Sequence, residues 1–149
     1  QLGLPADTAW LTIDSTTPLS GFELFGTTDE NQLAAYAGKG GAGAKSGVFA
    51  KIEKAGGWTG IAFVNTEADD ASVTLTAYRD NGTLVATQAL PPLGGHTKVV
   101  KLAEEIFPQG ISAATYIAYS SDRNVVGFQL NGTEDHMMLD GLPALAGAN

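Results

Sequence analysis

Apolar and polar residues alternate with a period of two along most of this 149-residue chain, in short runs bounded by Gly, Asn, Asp and Pro. Successive side chains of a β-strand point to opposite faces of its sheet, so such runs predict half-buried strands. WTGIAFVN, residues 58 to 65, is almost continuously apolar, which is typical of a central strand covered on both faces. The alternating strands are predicted in WLTID, SGFELFG, GVFAKIEK, SVTLTAYR, TLVATQAL, HTKVVKL, ATYIAYS, VVGFQLNG and, more weakly, HMMLDGL.

The alternation also assigns a face to each side chain. It predicts that Phe22 and Leu24 point inward and that Phe25 points outward. In GVFAKIEK the same rule turns Ala50 inward and Phe49 outward.

Turn-forming residues separate the predicted strands about every ten residues, which is the spacing of β-sandwich folds. Asp80-Asn81-Gly82 predicts a hairpin with a type I′ turn, and Pro91-Pro92 ends the returning strand. KLAEEIFP contains the one plausible helical turn, which Pro108 stops. We therefore predict an all-β protein, an antiparallel β-sandwich of about ten short strands with at most one helical turn.

Charge and composition exclude several classes of function. Sixteen acidic residues against eight basic ones give a net charge of −8, so nucleic acid and anionic membrane surfaces are improbable partners. The absence of cysteine excludes disulfides and thiolate metal sites. No apolar run is long enough for a membrane span, and the first residues lack the pattern of a signal peptide. Because the chain starts at Gln1, we interpret it as a mature or excised fragment.

One phrase occurs twice, as SGFELFGTTD (20 to 29) and as VGFQLNGTED (126 to 135), 106 positions apart. At this offset residues 10 to 33 align with residues 116 to 139 without a gap. The predicted inward positions stay apolar in both copies, whereas the predicted outward Phe25 becomes Asn131. The identical pairs are Ser15/Ser121, Gly21/Gly127, Phe22/Phe128, Leu24/Leu130, Gly26/Gly132, Thr27/Thr133, Asp29/Asp135 and Leu33/Leu139.

The repeat defines the expected domain organisation. Residues 1–38 form a hairpin homologous to the C-terminal part of a repeat unit, and residues 39–149 form a complete β-sandwich unit. The first segment is either extra strands packed on the sandwich or the tail of a preceding repeat. An isolated hairpin is marginally stable in water, so we expect one compact domain.

Residues 47 to about 131 contain a series of short motifs, namely Gly57-Trp58, Gly60-Ile61, Asn65, Tyr78, Gly82, Gly94, His96, Glu105 to Pro108 and Ser121 to Phe128. With these motifs the segment resembles repeat modules of bacterial secreted and cell-surface proteins, and the resemblance implies that the β-sandwich is immunoglobulin-like. The resemblance implies an extracellular, cell-surface or periplasmic accessory module, and it brings no established activity or active residues.

Two histidines could carry chemistry, but neither lies in a recognised catalytic motif. His96 follows Gly94-Gly95 and His136 follows Glu134-Asp135, so both are expected in turns. No nucleophile motif such as G-x-S-x-G accompanies them, and we predict no enzymatic activity.

Three acidic turns offer oxygen ligands of the kind that Ca²⁺ prefers. The candidate metal ligands are Asp29, Asp69, Asp70 and Asp135. Their spacing matches no known calcium loop, and Asp also favours turns by bonding its own backbone. We therefore expect no cofactor, with Ca²⁺ as the alternative.

Outward aromatic residues could stack on sugar rings or cover a neighbouring module. Trp10, Phe49 and Tyr78 occupy outward positions in the alternation and are the candidate ligand-binding residues. The leading hypothesis is a non-catalytic structural module of a larger bacterial surface or secreted protein. Its expected partners are neighbouring modules of the same polypeptide or other surface proteins. A carbohydrate-binding module, whose ligands are glycans, is the alternative, and a hydrolase comes third.

Overall fold

A computed structural model describes residues 3–27, 32–37, 43–54 and 56–147. This part of the chain contains ten strands and one helical turn. The strands are β1 (Phe22–Gly26), β2 (Leu33–Ala37), β3 (Ala44–Phe49), β4 (Gly57–Asn65), β5 (Val73–Tyr78), β6 (Leu84–Ala89), β7 (Lys98–Leu102), β8 (Tyr116–Thr133), β9 (Leu139–Pro143) and β10 (Leu145–Ala146). The helical turn α1 is Ala103–Ile106.

Strand β8 is the centre of the fold because its two halves pair with different strands. Its first half pairs with β3 on one side and β5 on the other, and its second half pairs with β4 and β9. Strands β6, β7 and β10 extend this network beside β5, β4 and β3. All pairings are antiparallel, so the prediction of an all-β protein with almost no helix is confirmed.

The core lies where the two halves of the sheet face each other. Phe49 of β3 and Tyr119 of β8 belong to one half, and Phe63 of β4 belongs to the other. Their rings nevertheless meet, with centroids 5.6 Å apart for Phe49 and Phe63 and 5.0 Å apart for Phe63 and Tyr119. The sheet therefore folds over at β8. Burial in this core raises the pKa of Tyr119.

The predicted faces are correct for some strands and wrong for others. Val73, Leu75 and Ala77, which form the apolar side of the alternation in SVTLTAYR, are fully buried in β5. Phe49, which was predicted to point outward, is 0% exposed, whereas Ala50 is exposed. Alternation defines two faces but does not say which of them meets the rest of the protein.

The prediction for β1 is inverted in the same way. Phe22 and Leu24 are 73% and 59% exposed, whereas Phe25 is half-buried. In the second copy, Gln129 and Asn131 are buried and Phe128 lies half-buried on the opposite face.

Two local predictions are also corrected. WLTID, residues 10 to 14, forms no strand, and Leu11 and Ile13 are 48% and 74% exposed. The hairpin between β5 and β6 lacks a type I′ turn, because only Gly82 in its loop has a positive φ, of 78°. Gly82 N–H donates to Arg79 O and Arg79 N–H donates to Thr83 O, which closes a three-residue loop with a left-handed glycine.

The predicted helical turn is present as α1. Glu105 accepts a hydrogen bond from Leu102 N–H at 2.8 Å, which satisfies a backbone donor at its start. The turn has four residues, and no helix in the described part of the chain could cross a membrane.

Candidate functional site

The hairpin β1–β2 is a structural duplicate of the hairpin formed by the end of β8 and β9. In the first hairpin Phe22 lies opposite Ala37 and Gly26 lies opposite Leu33. In the second, Phe128 lies opposite Pro143 and Gly132 lies opposite Leu139. Every pair is shifted by the same 106 positions, so the sequence repeat is also a repeat of strand register.

The closing hydrogen bonds of the two hairpins are duplicated as well. Thr27 N–H donates to Gln32 O at 3.1 Å, and Gln32 N–H donates to the Thr27 hydroxyl at 3.2 Å. One repeat later, Thr133 N–H donates to Met138 O at 3.1 Å, and Met138 N–H donates to the Thr133 hydroxyl at 3.0 Å. The two hairpins therefore share the hydrogen bond to the threonine hydroxyl as well as the backbone register.

The first hairpin packs on the outer face of the second. The rings of Phe25 and Tyr36 both approach Phe128 edge-on, at centroid distances of 5.8 and 5.1 Å. Gly141 permits this approach, because a Cβ on it would lie 2.7 Å from Phe25 Cζ. Burial at this contact, together with the charge of Glu23, raises the pKa of Tyr36.

The opposite face of the first hairpin is apolar and exposed. Phe22, Leu24 and Leu33 share this face by their register, and they are 73%, 59% and 65% exposed. Exposed apolar side chains that adjoin one another are typical of contact surfaces.

A shallow groove of about 320 Å³ lies on the outer face of the sheet formed by β7, β4 and β8. We call it the sheet groove. It is lined by Trp58, Gly60, Ala62, Lys98, Val100, Lys101, Leu102, Glu105, Phe128 and Leu130. Trp58 lies close against Gly132, where a Cβ would come within 2.4 Å of the indole. The groove therefore offers an apolar floor, one indole and a partly cationic rim.

A polar cluster lies at one end of the core, on the inner face of β4 and β8. Asn131 is 2% exposed, and its carbonyl oxygen accepts from the Thr59 hydroxyl at 2.8 Å and from Gln129 Nε2 at 2.9 Å. Its amide nitrogen donates to Asp140 Oδ1 at 2.7 Å. Gln129 Nε2 also donates to the backbone carbonyl of Lys51. The polar cluster therefore ties β4, β8, β9 and the segment after β3 together.

At the surface end of the polar cluster, Lys51 bridges two carboxylates. Its Nζ lies 2.7 Å from Glu53 and 3.1 Å from Asp140. The hydrogen bond to Glu53, followed by the interactions with Asp140, raises the pKa of Lys51. A lysine held as a cation in this way acts as an ion-pair partner and is a poor nucleophile.

The three candidate aromatic residues do not form one platform. Phe49 is buried in the core, so it is not available to a ligand at the surface. Trp10 is half-buried, and its Nε1–H donates to His96 O at 3.3 Å. Tyr78 stacks on Tyr116 with centroids 5.3 Å apart.

The candidate metal ligands are likewise held in separate places. Asp69 pairs with Arg123 at 3.0 Å, and Asp70 is exposed in the same turn. Asp135 accepts from Met137 N–H at 3.0 Å, and hydrogen bonds from Thr133 and Met137 lower its pKa. Asp29 lies outside the described residues. Within those residues, no group of three or more His, Asp or Glu side chains converges as metal ligands.

Both histidines occupy turn positions with left-handed backbone. His96 has a φ of 55° and His136 a φ of 58°, a region that residues other than glycine seldom adopt. His96 N–H donates to Glu67 O at 3.0 Å, which fixes one turn against another.

Sequence reasoning missed the sheet groove and the polar cluster. Gln129 and Asn131 are polar residues in an alternating strand, and this pattern is the usual signal of an exposed face. Their burial depends on partners from β4, β9 and the segment after β3, which no local pattern predicts.

The fold is similar to that of a crystal structure described as Thermotoga maritima 1070. The TM-score is 0.56, with 16% sequence identity over 70% of this chain and 96% of that chain. At this level of identity the similarity shows a shared fold and nothing more. Comparison with protein-family models gave no match, and comparison with curated protein sequences gave no significant match.

Proposed function

We propose that this chain is a non-catalytic structural module of a larger bacterial surface or secreted protein, located outside the cytoplasm. We further propose that its sheet, folded over at β8, is an immunoglobulin-like β-sandwich. Its partners in this proposal are neighbouring modules of the same polypeptide or other surface proteins, and it uses no cofactor.

The observation that carries the proposal is the duplicated hairpin. A copy of β8–β9 packs on the outer face of β8–β9 itself, through Phe25, Tyr36 and Phe128. Contact between homologous units is the principle by which repeat proteins build extended structures.

The side chains capable of chemistry support the same proposal. Lys51, Asp69 and Arg123 are engaged in ion pairs, and the two histidines lie at separate turns. Catalysis needs a nucleophile, a base and an orienting group within hydrogen-bond reach. The polar cluster is held by contacts that join four parts of the chain, as a structural network requires.

The complete gene tests this role. Further copies of the unit and a secretion signal in the same reading frame are the expected result. A single cytoplasmic reading frame without further copies would contradict the proposal.

A second candidate function is carbohydrate binding, and the sheet groove is the observation that favours it. The groove presents Trp58 beside apolar side chains and Lys101, a combination that suits stacking on a sugar ring. A glycan array with the wild-type chain, Trp58→Ala and Trp10→Ala tests it. Binding that is lost only in Trp58→Ala, with melting temperature as a folding control, would support this function, and an array without signal would exclude it.

A further inference from the structure

The segment that precedes β1 differs sharply from its repeat counterpart in burial. Leu11 and Ile13 are 48% and 74% exposed. Their counterparts 106 positions later, Ile117 and Tyr119, are 0% and 4% exposed. The apolar positions of the same alternating pattern are therefore buried in the second copy and exposed in the first.

The counterpart segment is buried because it has a strand on each side. Residues 116–121 of β8 pair with β5, and Ile117 to Ser120 also pair with β3. Residues 10–14 form no strand, although their sequence favours one. What this segment lacks is a pair of flanking strands.

The first hairpin also lacks the neighbour that its counterpart has. The end of β8 pairs with β4 from Gly57 to Asn65, whereas β1 pairs only with β2 in the described part of the chain. The described residues thus repeat the register of the counterpart hairpin in β1 and β2, without the sheet into which that counterpart fits.

We propose that residues 10–26, from the unpaired segment 10–14 to the end of β1, are a donor segment that completes a second sheet unit built like strands β3 to β7 of this chain. The inference rests on the proposed function as a repeated structural module. Residues 10–14 would enter between strands equivalent to β3 and β5, and β1 would pair beside a strand equivalent to β4. Backbone pairing supplies affinity in such strand addition, and pockets for alternate side chains supply specificity.

The chemistry of the partner follows from the counterpart positions. Leu11 and Ile13 require apolar pockets of the kind that receive Ile117 and Tyr119. Phe25 occupies the position of Asn131, which faces the inner side of β4 in this unit. Docking into the second unit therefore takes Phe25 away from Phe128, so the two contacts exclude each other.

The experiment adds the missing strands to the intact chain. Residues 39–106, which contain β3 to β7, are placed directly before Gln1. At the repeat offset, residues 1–9 then take the place of residues 107–115, and the fused chain contains two units in one register. Amide hydrogen exchange is measured in the extended and the original chain.

We expect exchange at Leu11 and Ile13 to slow by roughly a hundredfold or more in the extended chain, because buried paired strands open rarely. Ile13→Asp should remove this protection. The matched control Thr12→Asp should retain it, because its counterpart Ala118 is only half-buried. In the original chain neither substitution should change the melting temperature.

Unchanged exchange at residues 11 to 13 in the extended chain would overturn the proposal. Equal effects of Ile13→Asp and Thr12→Asp would overturn it as well. The gene context tests the surface role separately, since slowed exchange in the extended chain would stand even if that role failed.

Discussion

Gln32 donates a hydrogen bond of 2.8 Å from its side-chain amide to the backbone carbonyl of Met138, its own counterpart one repeat later. Gln32 is 7% exposed, although it belongs to the hairpin that packs on the outside of the sheet. The two copies of the hairpin are thus joined at equivalent positions, next to the turn that each of them closes with a threonine.

Gln32→Ala should weaken the docking of the first hairpin by about 1 kcal/mol, because a partly buried hydrogen bond is lost. Amide exchange in β1 and β2 is the suitable measurement, since an undocked two-stranded hairpin opens readily. Gln88→Ala is the control, because Gln88 bonds only to the adjacent backbone. Equal exchange in the two variants would contradict the prediction.

Phe25→Ala and Phe22→Ala form a matched pair on opposite faces of β1. Phe25→Ala should destabilise the docked hairpin by about 1–2 kcal/mol, because its ring packs on Phe128. Phe22→Ala should cost less than about 0.5 kcal/mol, because Phe22 is 73% exposed. Amide exchange in β1 measures both effects. A larger destabilisation by Phe22→Ala than by Phe25→Ala would show that the two faces of β1 are assigned wrongly.

Asn131→Ala should lower the free energy of unfolding by about 2–4 kcal/mol. The substitution leaves Thr59, Gln129 and Asp140 without a shared partner in a buried site. Urea denaturation measures the effect. Asn124→Ala is the control, with an expected change below about 0.5 kcal/mol, and a similar loss in both variants would rule out a special role for the polar cluster.

Asp122 should titrate below the ordinary aspartate pKa of 3.8. Ser72 N–H donates to its carboxylate at 2.8 Å, and this hydrogen bond lowers the pKa of Asp122. Because the folded pKa is the lower one, the carboxylate stabilises the fold above about pH 4, and this contribution is lost as the pH falls through the folded pKa.

Carboxyl NMR titration measures the pKa of Asp122 directly. The stability of Asp122→Asn should depend less on pH below about pH 4 than that of the wild type. An ordinary pKa for Asp122 would show that the hydrogen bond to Ser72 does not form in solution.

His136→Gly should raise the free energy of unfolding by about 0.5–1 kcal/mol, because glycine adopts the φ of 58° at this position without steric cost. His136→Val should lower it by about 1 kcal/mol or more, because a branched side chain is strained there. Thermal melts of the two variants test the sign, and destabilisation by glycine would argue for a specific contact of the imidazole.

The amino-acid sequence determined most of the strands, their antiparallel arrangement and the repeat, although the predicted strand at residues 10 to 14 does not form. Alternation at Val73, Leu75 and Ala77 and the position of the turn at Gly82 follow from local backbone geometry, and the 106-residue offset is a property of the sequence itself, so all three can be recognised without a tertiary structure.

Only the tertiary structure decided which face of a strand is buried. Phe49 and Asn131 are both buried against expectation, because a covering sheet or a set of hydrogen-bond partners comes from distant parts of the chain. Leu11 and Ile13 are exposed although Ile117 and Tyr119 are buried, since the first copy lacks the two strands that flank the second. A strand's own sequence sets the period of its alternation, and the strands that pair with it determine whether its apolar face is buried.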